Sequence, residues 1–375
     1  MPPSPTNSAP SVPFLDLYAG NQRVEAAFFG DLKALYRSSA FIGGPVIEGF
    51  ESAFAAQMQS PQCVAVSSGT AALQLSMVAA GIGPGDEVIV PAFTFPGAAG
   101  PVLHRGAGPV FADVNLHDGC LNPESVARAV TKNTRAILVT HLFGHPADLD
   151  AMRTITRESR GRITLIEDAA QAHGGTWKNK PLGSFGDFGC FSFYPTKNLG
   201  AMGDAGAILV KTKAMATRLR RLRDHGQVKR FFPLEAGFNA RMDAVQALFL
   251  THKLPLLRSD NARRAALAAQ ITGSLWRDAS LTPLLPDARG ESAWHALVVK
   301  SSRRASFMKD LKTQGIGHQV YYPAALPDLT VYKPFARRGD DFAAARALAR
   351  SCVALPLYPA LTATHTKTLI KALAP

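Results

Sequence analysis

The sequence has little cysteine, and none of it is paired. Cys63, Cys120, Cys190 and Cys352 stand alone with no CxxC spacing, which argues against a disulfide framework and against a zinc knuckle. They are expected to be reduced and inert, and no metal site is expected. No apolar run reaches the ~18 residues that a membrane span needs, so a membrane-spanning protein is excluded. The first residues, Met1 to Pro13, are rich in Pro and Ser but lack the basic and apolar segments of a signal peptide. Residues 1–12 are therefore expected to be a flexible tail, and the cytoplasm to be the compartment. Beyond that tail there is no low-complexity segment, and no repeat of about 20 to 50 residues is visible.

Acidic residues are the other shortage. Asp and Glu number 28 against 41 Lys and Arg, a net charge of +13. Such a bias suits an anionic ligand without choosing between nucleic acid, an anionic membrane and a phosphorylated small molecule. Much of the excess lies between Lys211 and Arg230, where Asp224 is the single acid. With no aromatic residue before Phe231, this stretch reads as a solvated helix face, with attraction of anions as the alternative.

What is present is a globular composition: 375 residues, 47% hydrophobic and 18% charged, long enough for one large and one smaller domain. Short β-branched runs alternate with helical patterns from about Ser67 to Val210, the signature of an α/β fold with a mostly parallel sheet covered on both faces. The expected strands are Val88–Val90, Val110–Val114, Ala136–Thr140, Ile163–Ile166, Phe188–Phe193 and Gly206–Val210. Ser68-Gly69-Thr70 caps a helix, and Pro123–Val130 and Ala147–Arg157 supply two more. Asp243–Leu257 reads as a long helix broken at Pro255, followed by a second helix over Asn261–Leu275. A βαβ-like pattern then runs from Ala293–Val299 through Ser306–Gln314 to His318–Tyr321 and ends in a helix over Phe342–Val353. The domain boundary is placed near 255, giving a large domain over 13–254 and a small C-terminal α/β domain over 255–375.

Three short stretches carry chemistry. Ile166-Glu167-Asp168-Ala169-Ala170-Gln171-Ala172-His173 puts an acid at the carboxyl end of an expected strand, where open α/β sheets bind ligands. Phe191-Ser192-Phe193-Tyr194-Pro195-Thr196-Lys197-Asn198-Leu199-Gly200 holds a lysine in a short loop bracketed by a buried strand and glycines. An amine in an apolar, electropositive pocket is biased toward its neutral form, which attacks carbonyls. Ser67-Ser68-Gly69-Thr70-Ala71 opens a helix, whose free N–H groups and dipole make a phosphate cradle. A carbonyl-capturing lysine, a carboxylate and a phosphate cradle together describe a site for pyridoxal 5'-phosphate, the carboxylate pairing with the pyridinium nitrogen.

The chain resembles the DegT/DnrJ/EryC1/StrS sugar aminotransferases of the fold-type I pyridoxal phosphate superfamily. The likeness is carried by Ser68-Gly69-Thr70-Ala71-Ala72-Leu73, Gly85-Asp86-Glu87-Val88-Ile89-Val90-Pro91, Glu167-Asp168-Ala169-Ala170-Gln171, Phe193-Tyr194-Pro195-Thr196-Lys197-Asn198-Leu199-Gly200 and Gly237-Phe238-Asn239-Ala240-Arg241-Met242-Asp243. It runs from Pro13 to Pro359, and five motifs in register are far more specific than one.

The resemblance implies that Lys197 carries the cofactor and shuttles protons, and that Asp168 keeps the pyridine nitrogen protonated. Gln171 then sits against the cofactor's face or its phenolic oxygen. Gly69, Thr70 and Ser192 hold its phosphate, and Phe95, with Phe93 as competitor, stacks on its ring. Asn239 reaches the phosphate in a neighbouring subunit, and Arg241 lies near the donor carboxylate, its rival reading being a salt bridge inside the helix start. Tyr321 and Tyr322 stand where many members read His-Tyr near the acceptor sugar, which weakens any transfer of substrate identity. His173 reads as structural, and His145 is left without a role.

The implied reaction moves an amino group from an amino acid, expected to be L-glutamate, to a keto sugar, expected to be nucleotide-linked, with pyridoxamine 5'-phosphate as the intermediate cofactor form. The implied unit is a homodimer with shared sites. A sugar dehydratase or a cyclitol aminotransferase is the alternative within the family, though Lys197 argues against dehydration. A non-enzymatic anion- or nucleic-acid-binding regulator is disfavoured, because no helix-turn-helix segment is visible.

Overall fold

Seven apolar runs assemble into one sheet in the computed structural model, which describes residues 11–275, 278–337 and 340–373. They are β1 (Gln62–Val66), β2 (Glu87–Pro91), β3 (Gly108–Ala112), β4 (Thr134–Thr140), β5 (Thr164–Asp168), β6 (Phe188–Ser192) and β7 (Gly206–Val210), in the order β1-β7-β6-β5-β4-β2-β3. β3, β2, β4, β5 and β6 run parallel, and β7 is antiparallel to both neighbours. The strands are buried along nearly their whole length, as a sheet covered on both faces requires.

The six expected strands are all present, with ends shifted by up to two residues. β1 was not anticipated. Gln, Cys and Ala give it no strong strand propensity, and it exists because β7 pairs with it across more than a hundred residues of chain. Two helices ahead of it, α1 (Glu25–Ser38) and α2 (Pro45–Gln57), were also missed. Phe50 and Phe54 of α2 meet Phe191 and Phe193 edge-on at 5.1–5.4 Å, making an aromatic layer at the end of β6 that leads into the Lys197 loop. The helix α3 (Gly69–Ala79) starts where expected, with Ser68 Oγ accepting from the Ala71 N–H at 3.0 Å.

The basic stretch is divided: Lys213, Lys229 and Arg230 are exposed, as a solvated face would have them, but its four central arginines are paired. Glu51 takes Arg220 and Arg223, and Glu235 takes Arg218 and Arg221. Each of these acids is 14 or more residues from its arginines, so local charge counting could not pair them. The four cysteines are free and buried. No helix among the described residues is long and apolar enough to cross a membrane, and no group of three potential metal ligands occurs among them.

After the main sheet come α4 (Ala244–Lys253), a 3-10 turn over Leu254–Leu256 that contains Pro255, and α5 (Leu257–Leu275). Leu257 packs into the main core, whereas Leu267, Ala268, Ile271 and Leu275 pack into a second one. That second core lies on the sheet β8 (Leu281–Pro283), β9 (Leu297–Ser301) and β10 (Cys352–Leu355), ordered β8-β9-β10 and antiparallel throughout. The expected βαβ pattern is corrected here. Residues 318–321 contribute a single bridge, Gln319 to Ala354, and the third strand is the run 352–355 that was read into the end of a helix. The helix α6 (Ala343–Ser351) stops because four consecutive buried residues precede Pro356, which disfavours helical backbone before it.

Of the expected tail, residues 1–10 lie outside the described residues, but Ser11 and Val12 do not hang free. Val12 is fully buried; its N–H donates to Gly315 O at 3.1 Å and its carbonyl accepts from Gly317 at 2.8 Å.

Candidate active site

The carboxyl ends of β5 and β6 and the start of α3 converge at one end of the sheet. Ser68 occupies the Ala71 N–H with its hydroxyl and the Ala72 N–H with its carbonyl, at 3.0 Å each. The N–H groups of Gly69 and Thr70 have no partner within the chain among the described residues, which is what the first turn of a helix offers an anion. A Cβ at Gly69 would stand 2.6 Å from Ser192 Cβ, and one at Gly206 would stand 2.4 Å from the Ser68 carbonyl. These two glycines therefore let β6, β7 and the helix start come close enough to form a cradle.

Asp168 ends β5, only 7% exposed, with the Ala170 N–H on Oδ1 at 3.1 Å. Burial raises its carboxyl above the usual range, while that N–H and the charges of Lys197 and His141 oppose the shift. Lys197 is half-buried in the loop after β6. Burial pushes its ammonium down to about 8, against the attraction of Asp168. The acid and the amine are thus both biased toward their neutral forms by desolvation, each being the other's chief counter-charge though no ion pair joins them among the described residues.

Gln171, also 7% exposed, is held at both ends: Oε1 accepts from the Phe143 N–H at 2.6 Å and Nε2 donates to Tyr322 Oη at 3.1 Å. Tyr322 lies among Phe93, Phe95 and Phe143, with ring centroids 6.0 to 6.4 Å away, and burial raises its phenol. Phe93 is fully buried in the core, whereas Phe95 is 57% exposed at the mouth. Tyr321 is half-buried and meets Phe14 edge-on at 6.0 Å.

Sequence reasoning missed the polar network behind the lysine. Asn198 donates to Ala293 O at 2.6 Å and Asn261 Oδ1 at 2.9 Å, and its own Oδ1 meets His295 Nδ1 at 3.2 Å. Asn261 in turn donates to His173 O at 2.7 Å. The adjacency of Asn198 to Lys197 was a usable signal, but nothing local pointed to Asn261 or His295. His173 packs between Phe191 and Phe193, and burial pushes it down to about 3, in keeping with a structural residue. His145 packs edge-on against Trp294 and holds Ser292 Oγ at 2.9 Å.

Two expected site residues stand apart from this cluster. Asn239 is exposed and bridges to Asp224, and Arg241 forms an ion pair with the same Asp224. Arg241 is thus in a salt bridge within its own chain, but to Asp224, 17 residues back, and not inside the helix start where the rival reading put it. Between them the buried Ala240 accepts from the Ser67 N–H at 2.9 Å, so this segment flanks the cradle without entering the Lys197 cluster.

Residues 22–374 match the DegT/DnrJ/EryC1/StrS aminotransferase family. The chain belongs to that family. It is similar to the dTDP-3-amino-3,4,6-trideoxy-alpha-D-glucose transaminase of Streptomyces venezuelae, 38% identical over 94% of this chain and 92% of the relative. Among solved structures, DesV from S. venezuelae superposes with a TM-score of 0.94 at 36% identity, covering 97% of this chain and 98% of that one. NtdA from Bacillus subtilis, solved with bound PMP, gives 0.88 at 28% identity, covering 99% and 86%.

This aminotransferase is a pyridoxal phosphate enzyme, and its residues fit the group on their own terms. Free helix N–H groups face a cradle that one Cβ would fill. Among the described residues the buried carboxyl of Asp168 forms no ion pair, and the lysine whose charge acts on it most has its own charge disfavoured. A bound pyridinium would supply the missing positive charge.

Proposed function

We propose that this aminotransferase takes the amino group of an amino acid, L-glutamate first among them, and passes it to a nucleotide-linked keto sugar. The observation that carries the reading is a desolvated lysine and a buried acid that act on each other's charge beside a helix-start anion cradle. The acceptor class is supported by the name of the Streptomyces venezuelae relative, a dTDP-sugar transaminase, and by the net charge of +13.

In this reading Gly69, Thr70 and Ser192 hold the cofactor phosphate through N–H and hydroxyl donors. Asp168 keeps the ring nitrogen charged, Phe95 covers one ring face and Gln171 stands at the ring's edge. Pyridoxal phosphate, when bound, supplies the electron sink for breaking the bond to hydrogen at the substrate carbon. The chain's share is to orient the substrate amine, to exclude water with the aromatic wall of Phe93, Phe95 and Tyr322, and to move protons on Lys197 Nζ. With a pKa near 8, that amine can both take and return a proton at neutral pH. Tyr321 and Tyr322 line the side on which the acceptor enters.

The working unit in this reading is a homodimer, a cytoplasmic one, whose sites draw Asn239 and Arg241 from the neighbouring copy. What supports it is an apolar face around that segment. Tyr36, Phe41 and Ile42 are exposed and tied to it through Ala244 N–H to Phe41 O, and the hairpin after Asp224 exposes Val228, Phe231, Phe232 and Leu234 by 65–77%. Patches of that kind mark interfaces. The division at 255 into domains 13–254 and 255–375 is supported by the second core, built on α5 and the second sheet, while the main core also takes in Leu284, Val298, Leu326, Leu348 and Ala354 from beyond that boundary.

The test is spectral. Protein converted to its pyridoxamine form with L-glutamate is mixed with a panel of dTDP- and UDP-linked keto sugars. Rapid return of the pyridoxal spectrum with one of them is expected. No conversion with any amino acid would sink the reading.

A further inference from the structure

Arg264, on α5, is 4% exposed, yet no carboxylate lies within 4.0 Å of it among the described residues. Asp260, one turn earlier, is engaged by Arg23 at 2.5 Å. One nitrogen, Nη1, serves the backbone, donating to Leu357 O at 2.8 Å and touching Trp294 O and His295 O at 3.4 and 3.5 Å. Nε is buried without a partner, and Nη2 makes no hydrogen bond among the described residues. A neutral amide could tie the same carbonyls. Keeping a buried charge there calls for an anion, because buried cations are normally paired. Burial already pushes this guanidinium down to about 10, with Asp260 opposing.

The side chain lines two hollows. One, of about 170 Å3, is shared with Thr196, Lys197 and Asn198 and already holds the acids Asp16 and Asp260 beside Arg23 and Lys253. The other, of about 470 Å3, is shared with Phe14, Thr196, His295, Gln319 and Tyr321. Nε and Nη2 form the edge of a guanidinium whose two N–H groups match the two oxygens of a carboxylate. Burial holds His295 neutral, and Gln319 and Tyr321 are neutral as well. The larger hollow therefore offers one positive charge, which suits one carboxylate better than a diphosphate.

We propose that Arg264 receives a carboxylate of the amino-acid donor in the hollow it shares with Thr196, His295 and Tyr321. The proposal rests on the aminotransfer reading above. It gives the donor an anchor in the same chain as Lys197, whereas Arg241, tied to Asp224, comes from the neighbouring copy in that reading.

The test measures binding of glutarate, which has the two carboxylates but no amine, by calorimetry, and of L-glutamate by the cofactor spectrum. The proteins are the cofactor-loaded wild type, Arg264→Gln, Arg264→Lys and Gln319→Glu. At least a tenfold loss of affinity for both acids is expected in Arg264→Gln, and several-fold losses in the other two, with dTDP affinity unchanged within twofold. The proposal is overturned if Arg264→Gln keeps wild-type affinity for both acids, or if dTDP binding weakens instead. Should Arg264→Gln fail to fold, Gln319→Glu decides: this exposed position adds a negative charge to the hollow, and unchanged glutarate affinity overturns the proposal. A wild type that exchanges its amino group with no amino acid overturns the donor reading and this proposal together, a result distinct from unchanged affinity in the variants.

Discussion

The cluster at the ends of β5 and β6 and the segment from Asp224 to Asp243 carry the same family motifs but opposite surroundings. In the first, Asp168, Gln171 and Asn198 are buried, and Gln171 and Asn198 each make several contacts inside the chain. In the second, Asn239 is exposed, Arg241 leans on a half-exposed Asp224, and the adjoining hairpin shows its aromatic residues to solvent. Desolvation can tune Lys197 and Asp168 only where the chain itself excludes water. The exposed segment can acquire such an environment only from another molecule. The difference teaches that one region is finished by folding, while in the reading proposed above the other is finished by association.

The largest effect expected belongs to the buried region. In the proposed reading Lys197→Ala removes the amine that holds the cofactor and moves the proton, so turnover should fall by at least ~10³-fold and the lysine-linked visible band should vanish. Wild-type turnover in that variant would break the assignment. In the same reading Asp168→Asn would keep a contact to the ring nitrogen but no charge. A lost charge-assisted hydrogen bond is worth about 1.5–3 kcal/mol, and the weakened electron sink adds to it, so activity should drop by about 100-fold or more while cofactor affinity drops less. Stopped-flow turnover beside a cofactor titration separates the two.

Smaller effects sharpen the contrast. Gly69→Ala sets a methyl group 2.6 Å from Ser192 Cβ, an overpacking of about 1–3 kcal/mol that should weaken cofactor binding more than stability. Phe231→Asp on the exposed hairpin should shift the association equilibrium toward monomer in sedimentation velocity, with the fold kept by circular dichroism. An unchanged equilibrium would take the hairpin out of the interface.

The smallest effect is a pH dependence. Because Lys197 is lowered to about 8 in the folded chain, cofactor-free protein should react with an amine reagent at this site with a midpoint near 8, rising with pH. Its folded pKa lies below its unfolded value, so the unfolded chain binds more protons between about 8 and 10.5, and this group's contribution to stability rises with pH across that window. A midpoint near 10 would show that the site does not desolvate the amine.

Much of the cluster was legible because it is local. Asp168 and Gln171 are three residues apart, Lys197 sits in one loop, and the Ser68 cap needs only its own helix. What escaped is non-local. β1 is a strand only because β7 lies beside it, and Glu51 and Glu235 answer arginines far along the chain. The run 352–355 is a strand because β9 offers an edge, though its Ala- and Arg-rich approach favours helix. Arg264, Asn261 and His295 join the site through α5 and the second sheet, a packing that no spacing encodes.

The central claim, a site built from the buried region of one copy and the exposed region of the next, is tested most directly by complementation. Lys197→Ala and Asn239→Ala proteins, each nearly inactive alone, are mixed under conditions where a tagged pull-down shows subunit exchange. With random pairing about half the dimers are mixed and half of their sites intact, so recovery up to roughly a quarter of the wild-type rate is expected. Exchange without any recovery would place Asn239 in its own chain's cradle, beside the Ser67 to Ala240 hydrogen bond, and would contradict the shared site.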